Sequence, residues 1–219
     1  MPYQPDWTLP LPWPYPRANL TFVANPNSPS GTFVPLPQLE RLVAELDGPL
    51  VLDEAYVDFA DTTGLSLSQR ANVVVSRSLS KSYALAGIRF GFAVAQPACI
   101  REFLKVKDSY NCDVLSLAAA TAALEDQGYL HETRARILAT RQRLEAGLSA
   151  LGFVVVPSQA NFVWCCRPGQ PVKPIYEELK CRKVLIRYMN FPDYGDGLRI
   201  SVGTDSEIQQ LFEHLKTLV

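Results

Sequence analysis

Three short segments carry side chains whose type and position could do chemistry, and each follows an apolar run of strand length. Asp53 closes the strand-like part of G-P-L-V-L-D-E-A-Y. A carboxylate right after a buried strand is costly unless a cation or hydrogen-bond donors meet it. It could cap a helix or form a structural ion pair. It could equally face a protonated pyridinium nitrogen and keep that ring an electron sink, with Tyr56 bonding the ring's phenolic oxygen. Lys81 ends S-L-S-K, between the apolar N-V-V-V-S and the small, apolar Y-A-L-A-G. It is either a solvated lysine or one whose charged form is disfavoured, which is what a Schiff-base amine needs. Ser78 and Ser80 bring hydroxyl donors. Arg89 has the planar fork that suits phosphate, unless it is used in a surface salt bridge. The third segment, N-P-N-S-P-S-G at residues 25–31, must turn whatever else it does, because it packs two prolines, two asparagines and a glycine together.

The elements around these residues explain why their positions matter. Ligands of open α/β sheets sit beyond the carboxyl ends of the strands. L-T-F-V-A, P-L-V-L-D, N-V-V-V-S and I-R-F-G-F-A-V-A are apolar runs without alternation, and Leu36, Leu39, Leu42, Val43 and Leu46 recur at helical spacing. This pattern predicts an α/β architecture whose strands are buried on both faces of a mainly parallel sheet, with Asp53 and Lys81 near adjacent strand ends. After Gln96 the spacing predicts helices over 97–107, 115–126 and 129–151, the last closed by Gly152. Strands at 153–156 and 161–165, a helix at 172–182, and strands at 184–187 and 198–202 follow. Asp205 is placed as the N-cap of a final helix with Ile208, Leu211, Phe212 and Leu215 inward. That order predicts a smaller C-terminal α+β unit. The expected division is 1–127 and 128–219, and residues 1–17, with six prolines, read as an irregular leading segment.

Bulk composition narrows the partners. The 219 residues are 47% apolar and 20% charged, with a formal net charge of -1, which offers no polyanion-binding surface and argues against nucleic acid. No run reaches the length of a membrane span, so a soluble, cytoplasmic protein is expected. Cys99, Cys112, Cys165, Cys166 and Cys181 are odd in number and lack zinc-site spacing, so they read as small buried hydrophobes, with no metal expected. His131 and His214 fall on amphipathic helices beside charged residues and read as solvated.

Taken in order, N-P-N-S-P-S-G, D-E-A-Y, S-L-S-K followed by A-G-I-R-F-G, and L-R-I-S-V-G resemble the fold-type-I, pyridoxal-phosphate-dependent aminotransferases, and within them the histidinol-phosphate aminotransferase branch. The resemblance runs from about Asp6 to the C-terminus. It implies a partial large domain plus a small domain, a homodimer, an amino-group donor and a 2-oxo acid acceptor. It implies that Lys81 carries the cofactor as a Schiff base and moves the proton at the substrate Cα. Asp53 would pair with the pyridinium nitrogen and Tyr56 with the 3′ oxygen, while Ser78, Ser80 and Arg89 would hold the phosphate. Arg199 would grip the substrate carboxylate, and Arg187 would face its distal phosphate. Where family members carry Asn before P-T-G this chain has Ser28, so the bond to the 3′ oxygen is weakened, shared with Tyr56 or moved to Asn27. Relatives also carry a long upstream segment, so a truncated chain with little turnover is expected. The competing readings are another branch, an aromatic aminotransferase or a phosphothreonine decarboxylase-like enzyme, and an inactive remnant that binds cofactor or a partner.

Overall fold

The computed structural model describes residues 3–192 and 194–219. Strands β1 (Thr21–Ala24), β2 (Leu50–Asp53) and β3 (Val73–Ser78) pair in parallel, and β4 (Gly91–Ala95) closes the sheet antiparallel to β3. Parallel neighbours need a crossover, and helix α1 (Leu36–Glu45) supplies the one between β1 and β2. Pro37 suits its first turn, where an N–H would be unpaired anyway. Its buried stripe, Leu39, Leu42 and Val43, packs on Leu50, Leu52, Val73 and Val75 of the sheet. The crossover from β2 to β3 uses only two 3-10 turns, at 57–59 and 65–69.

The parallel reading of the first three strands agrees with the expected architecture, but burial on both faces holds for Val73–Val75 of β3 and not for β1. Leu50 and Leu52 are fully buried under α1, whereas Phe22, on the other face of β1, is 68% exposed. Cover on that face is uneven, because Val74, in the same row as Phe22 and Val51, is buried. In β4 the first three residues are likewise exposed. Gly91 is needed at its start, because a Cβ there would lie 2.7 Å from the Arg77 carbonyl oxygen.

Helix α2 (Pro97–Val106) buries none of its residues, and α3 (Val114–Glu125) is capped by Asp113, whose carboxylate accepts from the Ser116 N–H at 2.9 Å. Helix α4 (Gln127–Ala150) leads into a second, antiparallel sheet of order β5-β6-β8-β7, formed by β5 (Val154–Val156), β6 (Phe162–Cys166), β7 (Arg187–Phe191) and β8 (Gly195–Ser201). Helices α5 (Lys173–Cys181) and α6 (Asp205–Leu215) cover it, and their Ile175, Leu179, Ile208, Leu211 and Leu215 join Leu144 and Leu148 of α4 in its core.

Several boundaries differ from the sequence reading. Arg187 opens β7 instead of closing a strand over 184–187, because Val184 and Ile186 pack against the core without joining the ladder. Strand β8 starts at Gly195, paired with Phe191, and ends at Ser201, so it begins earlier and stops one residue sooner than 198–202. Thr204, not Asp205, caps α6: its hydroxyl accepts from the Glu207 N–H and the Glu207 carboxylate returns the bond to the Thr204 N–H. Of the cysteines only Cys165 is fully buried, and burial pushes its thiol well above the usual range. His131 is exposed on α4 and His214 half-buried on α6. The proline-rich leading segment docks through Leu9 and through Trp7, which packs edge-on to Trp164 at 5.8 Å.

Candidate functional site

Asp53 ends β2 and lies level with Ser76 of the neighbouring strand. Its carboxylate accepts from the Ala55 N–H at 3.0 Å, is exposed, and meets no cation among the described residues. On the next strand Ser78 closes β3, and its hydroxyl oxygen accepts from the Ser80 N–H at 3.1 Å. That bond shapes the turn that delivers Lys81. Asp53 and Lys81 thus emerge from the same ends of adjacent parallel strands.

Lys81 is half-buried, forms no ion pair among the described residues, and holds its ammonium 5.2 Å from the ring centroid of Tyr56. The Tyr56 ring stands perpendicular to Phe162, with centroids 5.0 Å apart. Phe162 opens β6, so this contact joins the two sheets. The guanidinium of Arg199, on β8, lies 5.1 Å from the same Phe162 ring. Arg199 Nη1 donates to the Ser28 hydroxyl at 2.9 Å, while its Nε is buried with no partner among the described residues. A guanidinium N–H buried without an acceptor is costly.

The other candidates are placed less directly. Arg187 sits beside Arg199 in register, and Trp164 flanks Arg199 on its other side, so the three share one face of the second sheet. Arg187 is exposed, and its side chain makes no hydrogen bond among the described residues. Arg89 does not open strand β4. It ends a 3-10 turn with φ of 54°, exposed, and donates to the Ala86 carbonyl at 3.0 Å. The buried Asn27 amide donates to the Ser30 hydroxyl at 2.7 Å, so the second asparagine of the 25–31 turn holds the turn itself. Asn25 does the same by exchanging two bonds with the Val34 backbone. Lys81, Tyr56, Arg199 and Ser28 are therefore linked by contacts, with Asp53 and Ser78 at the adjoining strand ends, whereas Arg89 touches none of them. Phe162, the ring that joins Tyr56 to Arg199, reads in the sequence only as one residue of an apolar strand.

The model of the family described as Aminotransferase class I and II matches residues 15–215. Histidinol-phosphate aminotransferase of Rhodopirellula baltica is 54% identical over 211 residues, which cover 95% of this chain and 58% of that protein. Histidinol-phosphate aminotransferase 1 of Nostoc sp. is 47% identical over 204 residues, with 93% and 58% covered. The crystal structure of histidinol-phosphate aminotransferase from Sinorhizobium meliloti in complex with pyridoxal-5'-phosphate superposes with a TM-score of 0.83 at 29% identity, covering 92% of this chain and 58% of that one. The chain spans less than two thirds of the length of these relatives.

Proposed function

Because this chain belongs to the aminotransferase class I and II family, we propose that it forms the lysine-bearing part of a pyridoxal-phosphate-dependent transaminase that moves an amino group from histidinol phosphate to 2-oxoglutarate. One observation carries this reading: Lys81 and Arg199 approach a single Tyr56–Phe162 ring pair. The residues present fit the cofactor, since an uncompensated carboxylate, an amine without an ion pair and two hydroxyls converge at adjoining strand ends.

Bound there, pyridoxal phosphate supplies a ring that accepts electron density from the substrate Cα bonds. The chain's own groups do the rest. Asp53 holds a proton on the ring nitrogen, and the Tyr56 hydroxyl donates to the phenolic oxygen, beside the turn that carries Asn27 and Ser28. Ser78, Ser80 and Arg89 receive the phosphate. The Lys81 amine takes and returns the proton at the substrate Cα. Arg199, steadied by Ser28 and Phe162, grips the α-carboxylate. Arg187, next in the same row, meets the donor's phosphate.

The wider assembly is part of the same reading. Residues 1–127 form a partial cofactor-binding unit and 128–219 a small unit, a division supported by the two separate sheets and their two cores. The reading includes a cytoplasmic location and a homodimer, the latter supported by the apolar side chains exposed along α2 and α3, among them Val106, Val114 and Leu115. No helix among the described residues is long and apolar enough to cross a membrane.

The test is the visible spectrum on adding pyridoxal phosphate, with Lys81→Ala as the blank, followed by a glutamate-forming coupled assay. A lysine-dependent band to the red of free cofactor is expected. Turnover with histidinol phosphate in preference to an aromatic amino acid or phosphothreonine separates this substrate from those of the competing branches. Absence of any Lys81-dependent band defeats the reading.

A further inference from the structure

Behind the candidate site lies a charged network that the reaction itself does not need. Along β2, Leu50 and Leu52 face the α1 core while Val51 and Asp53 face the other way. Glu54 returns to the core side and is 1% exposed. Its N–H donates to the Ser76 carbonyl at 2.9 Å, which continues the ladder and sets Glu54 beside Arg77, on the face opposite Asp53. Arg77 donates through Nε and Nη2 to Glu54 Oε2, at 3.1 and 2.8 Å. The Thr63 hydroxyl and the Gly64 N–H complete the carboxylate's partners. Arg77 also reaches Asp58, with 3.7 Å from Nη1 to Oδ1, and Asp58 in turn accepts a short hydrogen bond from the Ser82 hydroxyl.

Removing charges from water costs several kcal/mol per ion, so a buried ion pair is weak evidence for stability. What singles out this one is where its members sit in the chain. Glu54 follows Asp53, Arg77 precedes Ser78, Ser82 follows Lys81, and Asp58 lies just beyond Tyr56. We propose that the Glu54–Arg77–Asp58–Ser82 network is a positioning device that fixes the spacing of Asp53, Tyr56 and Lys81 from the back of the sheet. The chemical groups face the ligand side, and the adjacent residues are tied together on the other. Sites of this kind lose function when their supporting shell loosens by a fraction of an ångström. The inference rests on the proposed function, because it assigns the network to Lys81's reaction with pyridoxal phosphate.

The experiment is reductive trapping of pyridoxal phosphate on Lys81 with borohydride, quantified by peptide mass spectrometry over a range of cofactor concentrations, with thermal unfolding run in parallel. Arg77→Met should fold at the assay temperature yet need about tenfold more cofactor for half-maximal trapping, the scale of a small loss of alignment. Arg77→Lys keeps the charge but not the fork and should recover only part of that loss. Ser82→Ala removes one hydroxyl, cuts the branch to Lys81, and should shift the trapping curve with little change in melting. Adding Glu54→Gln to Arg77→Met should cost nothing further, because the residues act as one unit. Wild-type trapping curves in folded Arg77→Met overturn the positioning role. If Arg77→Met does not fold, an unshifted curve for Ser82→Ala overturns it. A wild-type chain that traps nothing at Lys81 defeats the proposed function itself.

Discussion

The guanidinium of Arg199 lies 5.1 Å from the ring centroid of Phe162, and that ring meets Tyr56 edge-on, so the cation proposed to grip the substrate and the phenol proposed to meet the cofactor share one aromatic support. Phe162→Leu keeps the site apolar but removes the flat face. A guanidinium–ring contact is worth roughly 0.5–2 kcal/mol, which converts to about a two- to thirtyfold weaker grip on a carboxylate. Calorimetric binding of the 2-oxo acid acceptor should show that loss, with lysine trapping of the cofactor changed less. An unchanged dissociation constant would remove Phe162 from the site.

Asp53 offers a cleaner separation of roles. Its carboxylate has one backbone partner and no cation among the described residues, so Asp53→Asn should leave stability within about ±0.5 kcal/mol. The hydroxyls proposed to hold the phosphate remain, and cofactor retention should fall only modestly. Turnover should fall by orders of magnitude, because the proton on the ring nitrogen loses its counter-charge. Parallel loss of retention and turnover, or no loss of either, contradicts the assignment. The measurement needs a form of the protein with detectable turnover.

Much of this was legible in the sequence, and the gaps have physical causes. Leu50 through Asp53 and Val73 through Ser78 read as strands because their apolar runs end in polar groups, and the parallel order followed from the helix-length spacing before them. The run around Gly91–Ala95 reads the same in either direction, so its antiparallel pairing was not available from side-chain type. Nor was the open face of the first sheet, since Phe22 declares itself apolar without declaring what covers it. Phe162 and Val163 are both buried, so β6 shows no alternation to reveal which side chain points to the site. The capping box was readable: T-D-S-E at 204–207 has the required spacing, yet Asp205 beside it is as good a capping type. Glu54 and Arg77 were visible as charges next to apolar strands, but only the register shows that they meet.

The cap gives a local test. Thr204→Ala removes the hydroxyl that accepts from Glu207 N–H and should destabilise the second sheet's unit by about 0.5–2 kcal/mol in denaturant melts. Asp205→Ala should cost less at the helix end, though it also releases Thr140 and Arg143, which both donate to its carboxylate. If Asp205→Ala disrupts the start of α6 more than Thr204→Ala, by amide exchange in the first turn, the capping assignment is reversed.

Close approach gives another. A Cβ on Gly197 would fall 2.2 Å from Cζ2 of Trp164, in the middle of a ring that is 2% exposed. Gly197→Ala must therefore move the indole, at a cost of roughly 1–3 kcal/mol for overpacking. Trp164 is paired in register with Arg199, so tryptophan fluorescence and acceptor binding should change together. A shift in fluorescence with untouched binding would show that the indole and the guanidinium are independent.

The leading segment can be tested through pH. The Tyr3 hydroxyl donates to the Ala24 carbonyl at 3.1 Å, at the end of β1 just before the 25–31 turn. Burial pushes its phenol up from the ordinary value of 10 to about 12. The folded state therefore keeps this proton where the unfolded chain has begun to lose it. The contribution is complete below pH 10 and is lost as pH rises towards 12. Tyr3→Phe removes both the hydrogen bond and the titration. At neutral pH the variant should be less stable by roughly 0.5–1.5 kcal/mol, the net value of one such bond. From pH 10 upward the wild type should lose stability more steeply, and the two should converge. Denaturant melts across pH 8–11, together with phenolate absorbance, would record this. A constant gap between wild type and variant over that range would mean that the phenol titrates in the folded state as it does in the unfolded chain, and that the leading segment is not docked through Tyr3.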